Sequence, residues 1–82
     1  MNVYLYSTVG CHLCDKAKII LWPLLQQYQF TLTEIDIADD DTLIERYGTR
    51  IPVIGALDNP GELNWPFSAE QVDVFFAEIA KR

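Results

Sequence analysis

The hydrophobic positions of the chain switch between two periods, and the switches mark its elements. Asn2 to Ser7 carries Val3, Tyr4, Leu5 and Tyr6, an apolar run on both faces that predicts a central strand. Thr8-Val9-Gly10 breaks the run as a loop. From about Cys11 to Tyr28 the period becomes helical, with Ala17, Ile20, Leu21, Leu24, Leu25 and Tyr28 recurring at three and four. Pro23 interrupts that stripe. It lacks a backbone donor and crowds the carbonyl of Ile19, so a kink or an early end is expected.

Phe30 to Ile37 reads as a second strand, with Phe30, Leu32 and Glu34 on one face and Thr31, Thr33, Ile35 and Ile37 on the other. Asp39 or Asp40 caps a short helix carrying Leu43, Ile44 and Tyr47, and Gly48 supplies a left-handed stop. Pro52 to Leu57 is a third strand. Asn59-Pro60-Gly61-Glu62 fits a type II turn, and Glu62 to Trp65 a short hairpin partner ended by Pro66. Ser68 and Gln71 form a capping box, with Phe67 and Val72 as its hydrophobic staple. Val72, Phe75, Phe76 and Ile79 are the core stripe of the last helix, and Lys81 and Arg82 favour the negative end of its dipole.

The order is βαβ, a helix, a hairpin and a helix. A βαβ unit implies parallel pairing with a right-handed crossover, and the hairpin adds antiparallel strands. The predicted class is α/β: a four-stranded mixed sheet with helices on both faces, in one small domain over residues 1–82. At 50% hydrophobic residues, the composition excludes disorder.

Charge narrows the function. Six basic residues are scattered among twelve acidic ones, for a net charge of −6. Phosphate neutralisation needs clustered Lys and Arg, so nucleic acid is not an expected partner, and the acidic field repels anionic membranes. The run Asp39-Asp40-Asp41 reads as a solvated helix start. The longest apolar stretch, Ile19 to Leu25, is too short to span a bilayer. The start Met1-Asn2-Val3-Tyr4-Leu5-Tyr6 has no basic lead, so a cytoplasmic location without a structural disulfide framework is expected. The chain is expected to act as a monomer.

The chemistry lies in Cys11-His12-Leu13-Cys14, where the first strand gives way to the first helix. A helix N-terminus offers unpaired backbone donors and a positive dipole end, and both favour a thiolate. Cys11, at the extreme end, gains most. Cys14 sits one turn in and is more buried. The natural division is Cys11 as nucleophile and Cys14 as resolving thiol. Two ordinary core cysteines are the bland alternative, and the spacing before a helix in a βαβ chain argues against them. Zinc wants four converging ligands, and Cys11, Cys14 and His12 are too few within one chain. A metal or cluster shared across a dimer stays open. An arginine six residues after the nucleophile, needed for a phosphatase or arsenate-reductase loop, is replaced by Ala17. His12 either favours the Cys11 thiolate when protonated or is an exposed loop residue. Ile51-Pro52 either opens a strand structurally or forms a cis bond that leaves the Ile51 backbone free for a substrate chain.

Gly10-Cys11-His12-Leu13-Cys14-Asp15, Tyr47-Gly48-Thr49-Arg50 and Arg50-Ile51-Pro52-Val53, with the strand Val3-Tyr4-Leu5-Tyr6, make the chain resemble the thioredoxin-like superfamily. Within it, the chain looks most like a small glutaredoxin-like protein over nearly its whole length. The resemblance implies a βαβαββα thioredoxin-like fold with Pro52 in cis against the cysteine pair. It implies a thiol–disulfide oxidoreductase serving redox homeostasis and electron transport, with Cys11 as nucleophile. His12, Leu13, Ile51, Pro52 and Ser68 become the candidate substrate-binding residues.

Three departures bear on glutathione. His12-Leu13 stands where glutaredoxins usually carry an aromatic residue. Ser7-Thr8-Val9-Gly10 lacks a basic residue, and Asn64-Trp65-Pro66-Phe67-Ser68 replaces the Gly-Gly and acidic residues. Only Ser68, at a helix N-terminus, is left to meet a carboxylate. No resident cofactor is expected, and glutathione is expected at most as a weakly bound co-substrate. The expected partners are disulfide-containing proteins or small thiols, with glutathione, thioredoxin or a reductase as electron donor. The alternative is a thioredoxin-fold binding module that docks a peptide beside Pro52, Trp65 and Phe67, its disulfide only a switch.

Overall fold

The computed structural model describes residues 2–56 and 59–81, the side chains of 59 and 60 excepted. Strand β1 is Asn2–Ser7, helix α1 His12–Tyr28 and strand β2 Thr31–Asp36. A 3-10 turn at Ile37–Asp39 leads to helix α2, Asp41–Tyr47. Strands β3, Val53–Ala56, and β4, Asn59–Asn64, precede helix α3, Ala69–Ala80. The sheet order is β2-β1-β3-β4. β1 runs parallel to β2 and antiparallel to β3, and β3 antiparallel to β4. This is the mixed sheet and the thioredoxin-like fold expected.

Period-two alternation divides the core between the two faces. Val3, Leu5 and Ile54 join Ala17, Leu21 and Leu25 of α1 and Val72, Phe76 and Ile79 of α3 in one buried cluster. Tyr6 and Val53, which point the other way, pack with Ile37 and Tyr47. Tyr47 is stacked on Tyr6, ring centroids 4.1 Å apart, and its hydroxyl donates to Glu62 Oε2. The guanidinium carbons of Arg46 and Arg50 lie 5.4 and 5.1 Å from its ring centroid.

Several local expectations are corrected. Of the kink or early end expected at Pro23, the early end does not occur: α1 continues to Tyr28 and is capped by Gln29, whose φ of 57° is left-handed. The apolar stripe holds the helix down beyond the missing hydrogen bond. Gly48 is not left-handed, at φ −53°. A Cβ there would stand 2.4 Å from the Ile44 carbonyl oxygen, so close backbone approach is what favours glycine. No type II turn occupies 59–62, because these residues lie in β4, where Ala56 pairs with Asn59. Pairing along β3 outweighs the turn signal of Pro and Gly, and an edge strand tolerates Pro. β4 ends at Asn64 rather than Trp65. Leu57, the expected end of β3, and Arg82, expected at the helix dipole, lie outside the described residues. Of the two expected caps of α2, Asp40 is the one that forms, accepting from the Thr42 and Leu43 amides at 2.8 and 3.3 Å.

Candidate functional site

The loop after β1 delivers Cys11 to the start of α1. Gly10 takes a φ of 81°, which L side chains rarely adopt, and no neighbour crowds it, so backbone conformation alone explains the glycine. The Cys11 amide donates to the Thr8 carbonyl at 3.3 Å and closes the turn. Cys11 is the N-cap of α1: its Sγ accepts from the Cys14 amide at 3.2 Å. A sulfur thus takes the place usually held by a Ser, Thr or Asp oxygen. Cys11 and Cys14 form a disulfide with Cα atoms 5.3 Å apart. Cys14 is 3% exposed, on the same buried stripe as Ala17 and Leu21, whereas Cys11 is half-buried.

The flanking residues fall into two groups. His12 and Leu13 are exposed on the first turn, with Val9 beside them 90% exposed. Ile51 and Pro52 enter from the other side of β1. The Arg50 and Ile51 amides both bond the Tyr47 carbonyl, at 2.8 and 3.1 Å, which turns the chain into β3. The Ile51–Pro52 bond is cis. Val53 pairs with Tyr6, so Pro52 lies at the end of β1 from which the loop to Cys11 departs. Pro52 is buried, and its carbonyl accepts from the Trp65 amide at 3.1 Å. The Trp65–Pro66 bond is also cis. Ser68 is held by its capping box: its hydroxyl accepts from the Gln71 amide at 3.2 Å, and its amide donates to Gln71 Oε1 at 2.8 Å.

A cavity of 280 Å³ opens beside the disulfide, between the end of β1, the first two turns of α1 and β2. Cys11 and Cys14 line it together with Ser7, Asp15, Lys18, Glu34 and Asp36. Lys18 Nζ and Glu34 Oε1 are 2.9 Å apart. No contiguous stretch of the sequence gathers these residues. Two signals in the sequence point to them: Ser7 interrupts the buried face of Val3 and Leu5, and Asp15 and Lys18 stand one turn beyond Cys11 and Cys14. Among the described residues, no three His, Cys, Asp or Glu side chains converge as a metal site. Among them, too, no helix is long and apolar enough to cross a membrane.

Comparison with known proteins places the chain in a family. The profile of the glutaredoxin-like domain (DUF836) matches residues 2–77. The chain belongs to the glutaredoxin-like domain family. Among solved structures, it is similar to the X. campestris protein XcR50, whose solution structure superposes with a TM-score of 0.79 at 33% identity, over 95% of each chain. Protein Ne2328 of Nitrosomonas europaea matches at 27% identity and a TM-score of 0.77, over 90% of this chain and 88% of that one. Thioredoxin 1 of Thermosipho africanus shares the fold, with a TM-score of 0.69 at 15% identity and full coverage of both chains. A search of curated proteins finds no match. In this glutaredoxin-like domain the cysteine pair thus sits at the strand–helix junction of a thioredoxin-like fold.

Proposed function

We propose that the protein is a thiol–disulfide oxidoreductase in which Cys11 attacks and Cys14 resolves. The supporting observation is the asymmetry of the pair: Cys11 caps the helix and reaches solvent, while Cys14 is buried one turn in. In the reduced protein, the Cys14 amide and the helix dipole favour a thiolate at Cys11. That thiolate attacks one sulfur of a substrate disulfide. The other sulfur leaves as a thiolate with the bonding pair and takes a proton from water. Cys14 then loses its proton to water and attacks Cys11 Sγ in the mixed disulfide, releasing the second substrate thiolate. The substrate gains two electrons, and the protein is left with the Cys11–Cys14 disulfide. An external thiol or reductase restores the dithiol.

The substrate is a disulfide-containing protein or a small disulfide, met by His12, Leu13 and the Ile51 backbone beside Pro52. The setting is a reducing cytoplasm, with the chain acting as a monomer and single domain. A measured reduction potential together with a disulfide-reductase assay tests this. Turnover, with a potential near the cytosolic poise of roughly −220 to −320 mV, is expected. A potential far outside that range without turnover would favour a binding module whose disulfide is only a switch.

A further inference from the structure

The exchange chemistry leaves the cavity beside the disulfide without a role, and its lining is specific. Ser7 is 7% exposed, on the same face of β1 as Val3 and Leu5. Its hydroxyl has no hydrogen-bond partner among the described residues. No fully buried side-chain oxygen or nitrogen among those residues lacks a partner, so the Ser7 hydroxyl owes its exposure to the cavity it lines.

The rest of the polar lining is dominated by acceptors. Asp15, Glu34 and Asp36 contribute three carboxylates. Among the described residues lining the cavity, Lys18 is the only cation, and its ammonium is already engaged with Glu34. Asp36 Oδ1 accepts from the Ala38 amide at 2.9 Å, leaving the other Asp36 oxygen and the Asp15 carboxylate for a ligand. Ionised carboxylates only accept, and an ammonium or guanidinium only donates. A bound anion would meet two uncompensated negative charges.

We propose that this cavity binds an ammonium or guanidinium group carried by the disulfide substrate, so that the protein prefers cationic disulfides. The proposal rests on the exchange reading above for its consequence, but not for the binding itself. Because Cys11 and Cys14 line the same cavity, a cation seated there lies close to the attacked sulfur.

The test uses the full-length reduced protein and three small disulfides: cystamine (cationic), bis(2-hydroxyethyl) disulfide (neutral) and 3,3′-dithiodipropionate (anionic). Each rate is divided by that of free mercaptoethanol with the same disulfide. At low ionic strength the normalised rate should favour cystamine over the neutral disulfide by about tenfold. The double variant Asp15→Asn/Asp36→Asn should lose most of that preference. The remote exposed pair Glu45→Gln/Glu78→Gln, with the same change in net charge, should keep it. Equal preference in the two double variants, or none in the wild type, would overturn the proposal. Should no disulfide react faster than with mercaptoethanol, the exchange reading fails instead. Binding is then read alone, by NMR titration of the oxidised protein with S-methylcysteamine. Shifts at Ser7, Asp15 and Asp36 would uphold the cation site, and shifts scattered over the surface or absent would overturn it.

Discussion

The backbone amide of Cys14 donates to the sulfur of Cys11 across 3.2 Å. One cysteine therefore supplies the cap of α1 and the other supplies the donor that the cap satisfies. The contact ties local helix chemistry to redox chemistry, because a donor aimed at sulfur stabilises a thiolate more than a thiol.

Glutathione should bind weakly. No lining residue before Cys11 is basic, and Ser68 is engaged by Gln71. Titration of reduced glutathione into Cys14→Ser by NMR should give small, unsaturated shifts up to millimolar ligand. Localised shifts saturating at micromolar ligand would contradict this.

Alkaline pH should unfold the protein through Tyr47. Burial, first, and its hydrogen bond to Glu62 hold the phenol far above its ordinary pKa near 10. Tyr28, bonded to Asp73, is raised too. The unfolded chain therefore loses these protons at lower pH than the native one. Stability is fully present below about pH 10 and falls as pH rises beyond it. Urea unfolding at pH 8 to 11 should show this slope, and Tyr47→Phe should flatten it, leaving the part due to Tyr28.

Pro23 costs α1 a hydrogen bond to the Ile19 carbonyl in mid-helix. Its side chain is exposed, so replacement disturbs no core packing. Pro23→Ala should raise stability by about 1–3 kcal/mol, read from urea midpoints at unchanged slope. A loss of stability would mean that the helix is bent to fit its neighbours.

Ser68→Ala removes the side-chain half of the α3 capping box. It should cost about 1 kcal/mol in the same measurement, with disulfide exchange unchanged if the residue serves only the helix. A fall in exchange rate with substrates bearing a carboxylate would instead mark Ser68 as a substrate contact.

What the sequence revealed follows from where the information is local. The stripes on α1 and α3 and the capping box at Ser68 are written in contiguous residues, and so is the cysteine pair at a strand–helix junction. The sequence points to a turn at 59–62 because Pro60 and Gly61 carry a strong turn signal, while the pairing of β4 with β3 that overrides it is a tertiary fact. Gly48 differs from its expected left-handed role for a related reason: its need comes from the nearby Ile44 carbonyl, not from its own dihedral angles. The cavity draws Ser7, Lys18 and Glu34 from three elements. Alternation puts Glu34 on the face of Phe30 and Leu32, but nothing in one strand says that α1 brings Lys18 to meet it.

The unequal burial of the two sulfurs carries the central claim, and covalent trapping reads it most directly. Reduced Cys14→Ser and Cys11→Ser are each mixed with a disulfide substrate, and the adducts are mapped by mass spectrometry. Cys14→Ser should accumulate a mixed disulfide at Cys11, because nothing remains to resolve it, and Cys11→Ser should stay unmodified. In the reduced wild type, iodoacetamide should label Cys11 first. Full reductase activity in Cys11→Ser, or first labelling at Cys14, would contradict the assignment.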